Sequence, residues 1–182
     1  MKDFKEKYKF AILRGGLSNS PGGDKKIDST FENFYFEAKL EKVPVGVYYM
    51  SWASTAEQGK EEALFLYDNC LKNKVFELPI FMYIENATNW GKKPGVTDAI
   101  IAFCETIKSK GLRPGVSASL YWFNKMIDTP RLKEYPKWVQ HISEKEPVWT
   151  CENVEFWGNS CNGKIDGKFV NENIALTEIK QN

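Results

Sequence analysis

The stretch Leu78-Pro79-Ile80-Phe81-Met82-Tyr83-Ile84-Glu85 is apolar until its last residue, and its length suits a strand buried on both faces, the kind found in parallel sheets. Successive side chains of a strand alternate, so Phe81, Tyr83 and Glu85 share one face while Ile80, Met82 and Ile84 share the other. An acid at the end of such a strand, with a second acid two residues earlier, would set two carboxyl groups side by side on one face, an arrangement suited to acid–base work. Here those positions hold Tyr83 and Glu85, so one half of the pair is a phenol.

Working outward, apolar runs of strand length alternate with helical patterns. Val45-Gly46-Val47-Tyr48-Tyr49-Met50-Ser51-Trp52-Ala53 overlaps a second buried strand, expected at 43–50, and residues 10–14 are a third. Residues 55–71 carry Ala56, Ala63, Leu64, Phe65 and Tyr67 at helical spacing. Residues 98–110 form an amphipathic helix through Ile100, Ile101, Phe103, Cys104 and Ile107, with Gly111 at its C-terminal stop. Further strands are expected at 113–117, 138–142, 154–157 and 169–173. Between them, 121–134 reads as an irregular helical excursion broken at Pro130. The glycine- and serine-rich residues 15–23 read as an irregular loop, and Asp28 or Ser29 as the cap of a helix carrying Phe31, Phe34, Tyr35 and Ala38. Strands alternating with helices predict an α/β fold with parallel strands and crossover helices. No repeat or linker divides it, so residues 1–182 are expected to be one domain.

Composition narrows the function. Twenty-five basic and 24 acidic residues give a formal net charge of +1, which supplies no global field for nucleic acid or an anionic membrane surface. No run of about 18 apolar residues is present, and the first six residues lack the apolar stretch of a secretory signal. The chain is therefore expected to be soluble. Its four cysteines contain no C-x-x-C, so neither a metal nor another cofactor is expected; Cys70 and Cys104 suit buried thiols. Cys151 and Cys161 flank a strand, and a bridge between them requires the chain to turn back after Gly158, because an extended segment would hold them too far apart.

Several segments, in order along nearly the whole chain, resemble the family 25 glycoside hydrolases, lysozymes that cut the muramic acid linkages of peptidoglycan. Residues 10–16 are similar to F-x-I-x-R-x-G, 45–53 to G-V-Y-H/Y-Y-S-Y-A, and 78–85 to L-P-x-x-x-D-x-E. Residues 111–117 resemble G-Y-x-x-G-V-Y-S, 138–141 resemble W-x-A-H/Q, 154–160 resemble D-x-W-Q-Y-S, and 163–173 resemble G-x-V-x-G-x-x-x-D-x-N. The resemblance implies an irregular β/α barrel with its site at the carboxyl ends of the strands. It also marks departures. The family's first strand, with its Asp-Val-Ser, has no counterpart; the Asp of the catalytic pair is Tyr83; the late-strand Asp is Asn171, followed by Glu172 on the opposite face; and W-Q-Y-S has become Trp157-Gly158-Asn159-Ser160.

By that resemblance Glu85 is the proton donor to the leaving oxygen, with a nearby Asp supporting attack by the substrate's acetamido group. Tyr83 is a poor replacement, because a phenol stays neutral near pH 7 and no activating base stands beside it in sequence. Sugar rings stack on aromatic faces, which makes Tyr48, Trp52, Tyr83, Trp90, Trp138 and Trp157 candidate substrate contacts, with Asn171 at the late-strand position. Glu155 shares a strand face with Trp157 and is either a replacement acid or a solvated rim residue. His141, the only histidine, is either a base or a hydrogen-bonded barrel residue. The expected function is a lysozyme-like domain directed at peptidoglycan or another glycan, with binding kept and hydrolysis impaired. Alternatives are an active muramidase using Glu85, and a bacteriocin-like or protein-interaction domain on the same barrel. A missing first strand leaves open edges, where a homodimer is one way of closing the barrel. The family setting implies a secreted or phage-encoded protein.

Overall fold

The computed structural model describes residues 2–86, 93–165 and 167–179. Its elements, in chain order, are α1 (Lys2–Lys7), β1 (Ala11–Ser18), β2 (Lys25–Ile27), α2 (Phe31–Leu40), β3 (Val45–Ser51) and α3 (Ala56–Leu66), the last continued by a π-helical turn at Tyr67–Leu71. Then follow β4 (Ile80–Ile84), α4 (Lys93–Ser109), β5 (Pro114–Ser119), α5 (Leu120–Lys125), a 3-10 turn at Thr129–Leu132, β6 (Lys137–Gln140), β7 (Val154–Ile165) and β8 (Lys168–Ala175).

All eight strands lie in one sheet of order β2-β1-β3-β4-β5-β6-β7-β8. Strands β1, β3, β4, β5, β6 and β7 run parallel, whereas β2 and β8 are antiparallel additions at the two ends. Inward-facing residues from both ends of this order meet. Phe10, just before β1, lies 5.4 Å ring to ring from Phe156 of β7, and Phe156 packs on Phe81 of β4 at 5.8 Å. The sheet therefore curls into a barrel shape, yet no strand among the described residues joins β1 to β8. The fold is the expected irregular β/α barrel, open between those two strands.

The outward face of the sheet builds the larger core. Val47, Tyr49, Ile80, Met82, Ile84, Val116 and Val139 pack there against Leu66, Ile100, Phe103 and Ile107 of α3 and α4. Burial of these side chains, at about 1.5–3 kcal/mol each, is the main force that holds the helices on the sheet. Helix α3 begins at Thr55, whose hydroxyl accepts from Gln58 N–H, while Gln58 Oε1 accepts from Ser54 N–H at 2.8 Å, a reciprocal cap. Helix α4 ends as its sequence predicts: Gly111 takes the left-handed conformation at φ 77°.

Four expectations are corrected. Residues 15–18 belong to β1 rather than to a loop. Gly15 and Gly16 are there for close packing, since a Cβ at Gly15 would lie 2.7 Å from Val47 Cγ1 and one at Gly16 would lie 2.6 Å from Lys26 O. Pro130 sits at the start of the 3-10 turn, where its missing N–H costs nothing, instead of breaking a helix. The two last strands are longer than expected and form one antiparallel hairpin, paired from Phe156↔Ala175 out to Ile165↔Lys168. Because β7 runs straight through Gly158, the chain does not turn back there, and all four cysteines are free thiols.

Candidate functional site

The inward face of the barrel is an aromatic ladder. Tyr48 of β3 packs edge-on against Tyr83 of β4 at 6.2 Å and against Trp138 of β6 at 5.6 Å, and Trp138 meets Phe81 at 5.5 Å. The Trp138 indole N–H donates to Asn173 Oδ1 at 2.8 Å, tying β6 to β8 across β7. This wall faces a cavity of about 860 Å³. Tyr48, Met50, Tyr83, Trp138, Gln140 and Asn173 line its barrel side. It opens between β1 and β8, the gap in the barrel.

Glu85 follows β4 and is exposed, as the register of its strand requires. Its Oε2 accepts from Tyr83 Oη at 3.4 Å and from Ser119 N–H, at the start of α5, at 3.2 Å. Burial, and then the charge of Glu85, push the Tyr83 phenol up to about 12, so it is neutral near pH 7. Tyr48 is also raised, by burial first, with the guanidinium of Arg14 acting against it. Arg14 is held by Asp28 at 2.6 Å. Burial opposes ionisation of Asp28, but the hydroxyl and N–H of Thr30, with Arg14, together keep it below the usual carboxylate range. Among the described residues, the exposed carboxyl group of Glu85 thus stands beside one neutral phenol.

Behind this rim lies a buried acid. Glu62 of α3 is 2% exposed; it accepts from Ser18 Oγ at 2.7 Å, Ser51 Oγ at 2.5 Å and Trp52 N–H at 3.3 Å. Ser18 also meets Tyr49 Oη at 2.9 Å, and Asn86 Nδ2, next to Glu85, donates to Ser51 O at 3.2 Å. Burial raises the Glu62 carboxyl above its usual range against these hydrogen bonds. The network fixes the carboxyl ends of β1, β3 and β4 together.

The family model of glycosyl hydrolases family 25 matches residues 15–168. The chain belongs to glycosyl hydrolase family 25. Solved structures agree on the fold. The CTP1L endolysin superposes with a TM-score of 0.80 at 17% identity, over 96% of this chain and 60% of that one. A bacterial lysozyme from Streptomyces coelicolor gives 0.78 at 18% identity, over 95% and 83%. The modular autolysin LytC from Streptococcus pneumoniae, solved with a synthetic peptidoglycan ligand, gives 0.74 at 19%, over 93% and 41%. This chain therefore spans about three fifths of the endolysin's length and less of LytC's. Among curated protein sequences, none matches.

Within this family 25 fold, the residues singled out from sequence separate into groups. Tyr48, Tyr83, Trp138 and Asn171 line this cavity. Glu85 stands at its rim, bonded to Tyr83, and Trp52 follows β3 with its backbone held by Glu62; neither lines the cavity. Trp157 is on the other side of the sheet. It pairs with outward-facing Val139, its indole donates to His141 O at 2.7 Å, and its ring meets Trp149 at 6.2 Å, so it packs the 141–151 segment onto the barrel. Glu155 sits at the irregularity between the Lys137↔Val154 and Trp138↔Phe156 pairs and is ion-paired with Arg113, just before β5, far from the role of a replacement acid. His141 contributes backbone bonds, its N–H donating to Gly158 O at 2.9 Å. Trp90 lies outside the described residues. Sequence reasoning missed Asn173, although period two from Asn171 points to it, and Glu62, a lone acid on the apolar face of α3. Among the described residues no cluster of His, Cys, Asp and Glu is fit to hold a metal, and no helix is long and apolar enough to cross a membrane.

Proposed function

We propose that this chain is one lysozyme-like domain, of a secreted or phage-borne protein, that binds peptidoglycan or a related glycan and hydrolyses it poorly or not at all. The observation that carries this reading is the pair at the end of β4, where Glu85 has the neutral phenol of Tyr83 at 3.4 Å where a second carboxylate would serve a glycosidase. Glu85 keeps the position of a proton donor. Among the described residues no second carboxylate stands beside it to stabilise the positive charge that develops at the anomeric carbon, a loss of several kcal/mol, where each 1.36 kcal/mol is about tenfold in rate. Binding is supported by the aromatic wall of Tyr48, Tyr83 and Trp138 with the amides of Gln140 and Asn173, a surface suited to the apolar faces and hydroxyls of sugar rings.

The experiment is a pair of assays on one peptidoglycan suspension, sedimentation for binding and turbidity for cleavage. The expected result is co-sedimentation that Tyr48→Ala weakens, with no clearing beyond the buffer control. Rapid clearing abolished by Glu85→Gln would instead identify an active muramidase. Failure to co-sediment would point to a protein-interaction role for the barrel.

A further inference from the structure

Gln140 ends β6 on the inward face, in register with Ser119 of β5 and Gly158 of β7. Gly158 is buried, and the Gln140 carboxamide lies in the volume that a side chain there would take: a Cβ on Gly158 would sit 2.0 Å from Gln140 Oε1 and 2.8 Å from its Cδ. Gln140 Nε2 reaches Ser117 Oγ at 3.5 Å, whereas Oε1 accepts from no donor among the described residues. On the other side of Gly158, its register partner in β8 is Asn173. Asn173 Oδ1 is taken by the Trp138 indole N–H at 2.8 Å, while Asn173 Nδ2 meets only Asn171 O, at 3.5 Å. A free acceptor and a weakly used donor thus flank one glycine beside the Trp138 ring, and Gln140, Asn173 and Trp138 all line the cavity.

We propose that the corner formed by Gln140, Gly158 and Asn173 is a subsite that reads an acetamido group, so that the domain selects N-acetylated sugars; the inference rests on the glycan reading above and adds the group recognised. A secondary amide complements the pair, its N–H donating to Gln140 Oε1, its C=O accepting from Asn173 Nδ2 and its methyl group resting on Trp138. A hydroxyl in its place leaves one of the two amides unpaired inside the barrel, and a site built to pair a group rejects the analogue that lacks it. Both amides are neutral, so a free ammonium or carboxylate would lose its hydration here with no opposite charge in return. The corner also lies apart from Glu85. Glu85 follows β4 and accepts from Ser119 N–H at the end of β5, and Gln140 is one strand further, about 10 Å along the sheet from β4 at ~4.8 Å per strand. It therefore holds the acetamido group of a sugar next to the bond that faces Glu85.

The probes are two soluble tetrasaccharides with the same β-linked backbone, the N-acetylglucosamine tetramer and cellotetraose, which carries hydroxyls where the other has acetamido groups. Each is titrated into 15N-labelled protein and followed through backbone and side-chain amide resonances. The N-acetylated tetramer should bind about tenfold or more tightly than cellotetraose and shift the carboxamide resonances of Gln140 and Asn173. Two variants separate recognition from folding. Gln140→Leu keeps the volume and removes the amide, whereas Gly158→Ala keeps Gln140 but places a Cβ where its flexible end lies, pushing the carboxamide aside. Each should weaken the N-acetylated tetramer about tenfold and leave cellotetraose unchanged, so that the preference disappears. The proposal is overturned if the wild type binds both tetramers alike, if the shifts bypass Gln140 and Asn173, or if both variants keep the preference. If the wild type binds neither the tetramers nor peptidoglycan, the glycan reading falls and this proposal with it. Peptidoglycan binding without any preference between the tetramers leaves that reading standing and overturns this proposal alone.

Discussion

Tyr83 and Glu85 project from one face two residues apart, and the phenol donates to the carboxyl group at 3.4 Å, the pair on which the proposed loss of hydrolysis rests. Tyr83→Asp would set two carboxylates side by side, yet Asn171 stays uncharged, and residues that act as a unit do not restore function singly. Turbidity clearing by Tyr83→Asp should therefore remain at the buffer rate, and a large gain would sink the account of an impaired site. The same substitution removes a ring packed on Tyr48, so the urea midpoint should fall with a loss of about 2 kcal/mol. Glu62 makes the opposite kind of statement. Its carboxyl binds a proton more tightly folded than unfolded, so its contribution is most favourable at low pH and declines as pH rises from the ordinary carboxylate value of 4.5 through the raised folded value. Glu62→Gln should flatten that decline in urea titrations between about pH 4 and 8. Glu62→Ala should cost about 2–3 kcal/mol at low pH and less as pH rises, because Ser18, Ser51 and Trp52 lose their acceptor inside the fold while the variant no longer carries the acid's linkage. Equal pH slopes for wild type and Glu62→Gln would show that the acid carries no such linkage.

At the scale of elements, helices α3 and α4 touch through a glycine. A Cβ on Gly59 would lie 2.1 Å from Ala99 O, so the helices would have to separate, and overpacking of this kind costs about 1–3 kcal/mol or more. Gly59→Ala should lower the thermal midpoint by several degrees, whereas its helix propensity alone would raise it. The contrast illustrates what the sequence could tell. Strands β3 and β4 and helix α4 were legible because unbroken apolar runs and a clear 3.6-residue period report burial directly. The extension of β1 through Gly15 and Gly16 was not, since glycine in sequence signals a turn, and only the fold reveals Val47 and Lys26 pressing where side chains would go. The outer half of the β7–β8 hairpin was hidden for a related reason. Its polar Ser160 and Lys164 carry no burial signal, and backbone pairing with Glu172 and Phe169 holds them extended. Period two also gives alternation without saying which set faces inward. That is why Trp138, which lines the cavity, and Trp157, which packs against Trp149 on the opposite face, stood as equal candidates in the sequence.

For the whole molecule, the consequence of an open barrel is a gradient of stability across the sheet. Strands β3, β4 and β5 have a neighbour on each side and helices packed over their outer face, so their amides open only with the global transition. The two ends differ. Strand β8 has several exposed residues, with Phe169 70% and Ile174 41% exposed, and residues 11–14 of β1 carry a strand on one side only. Exchange should thus be fastest in β2 and β8, intermediate in the first half of β1, and slowest in β4. Thiol chemistry should follow the same gradient. Cys161, exposed in the hairpin, should react at once with an aromatic disulfide; Cys151, half-buried, should react more slowly; Cys70 and Cys104 should react only on unfolding. Burial pushes the Cys70 thiol up to about 12 and Cys104 higher still, which removes the reactive thiolate as well as access. Four thiols should be counted in the denatured, unreduced protein. Exchange in β8 as slow as in β4 would mean that the gap between β1 and β8 is closed in solution, whereas early reaction of Cys104 would mean that the core under α4 opens short of global unfolding.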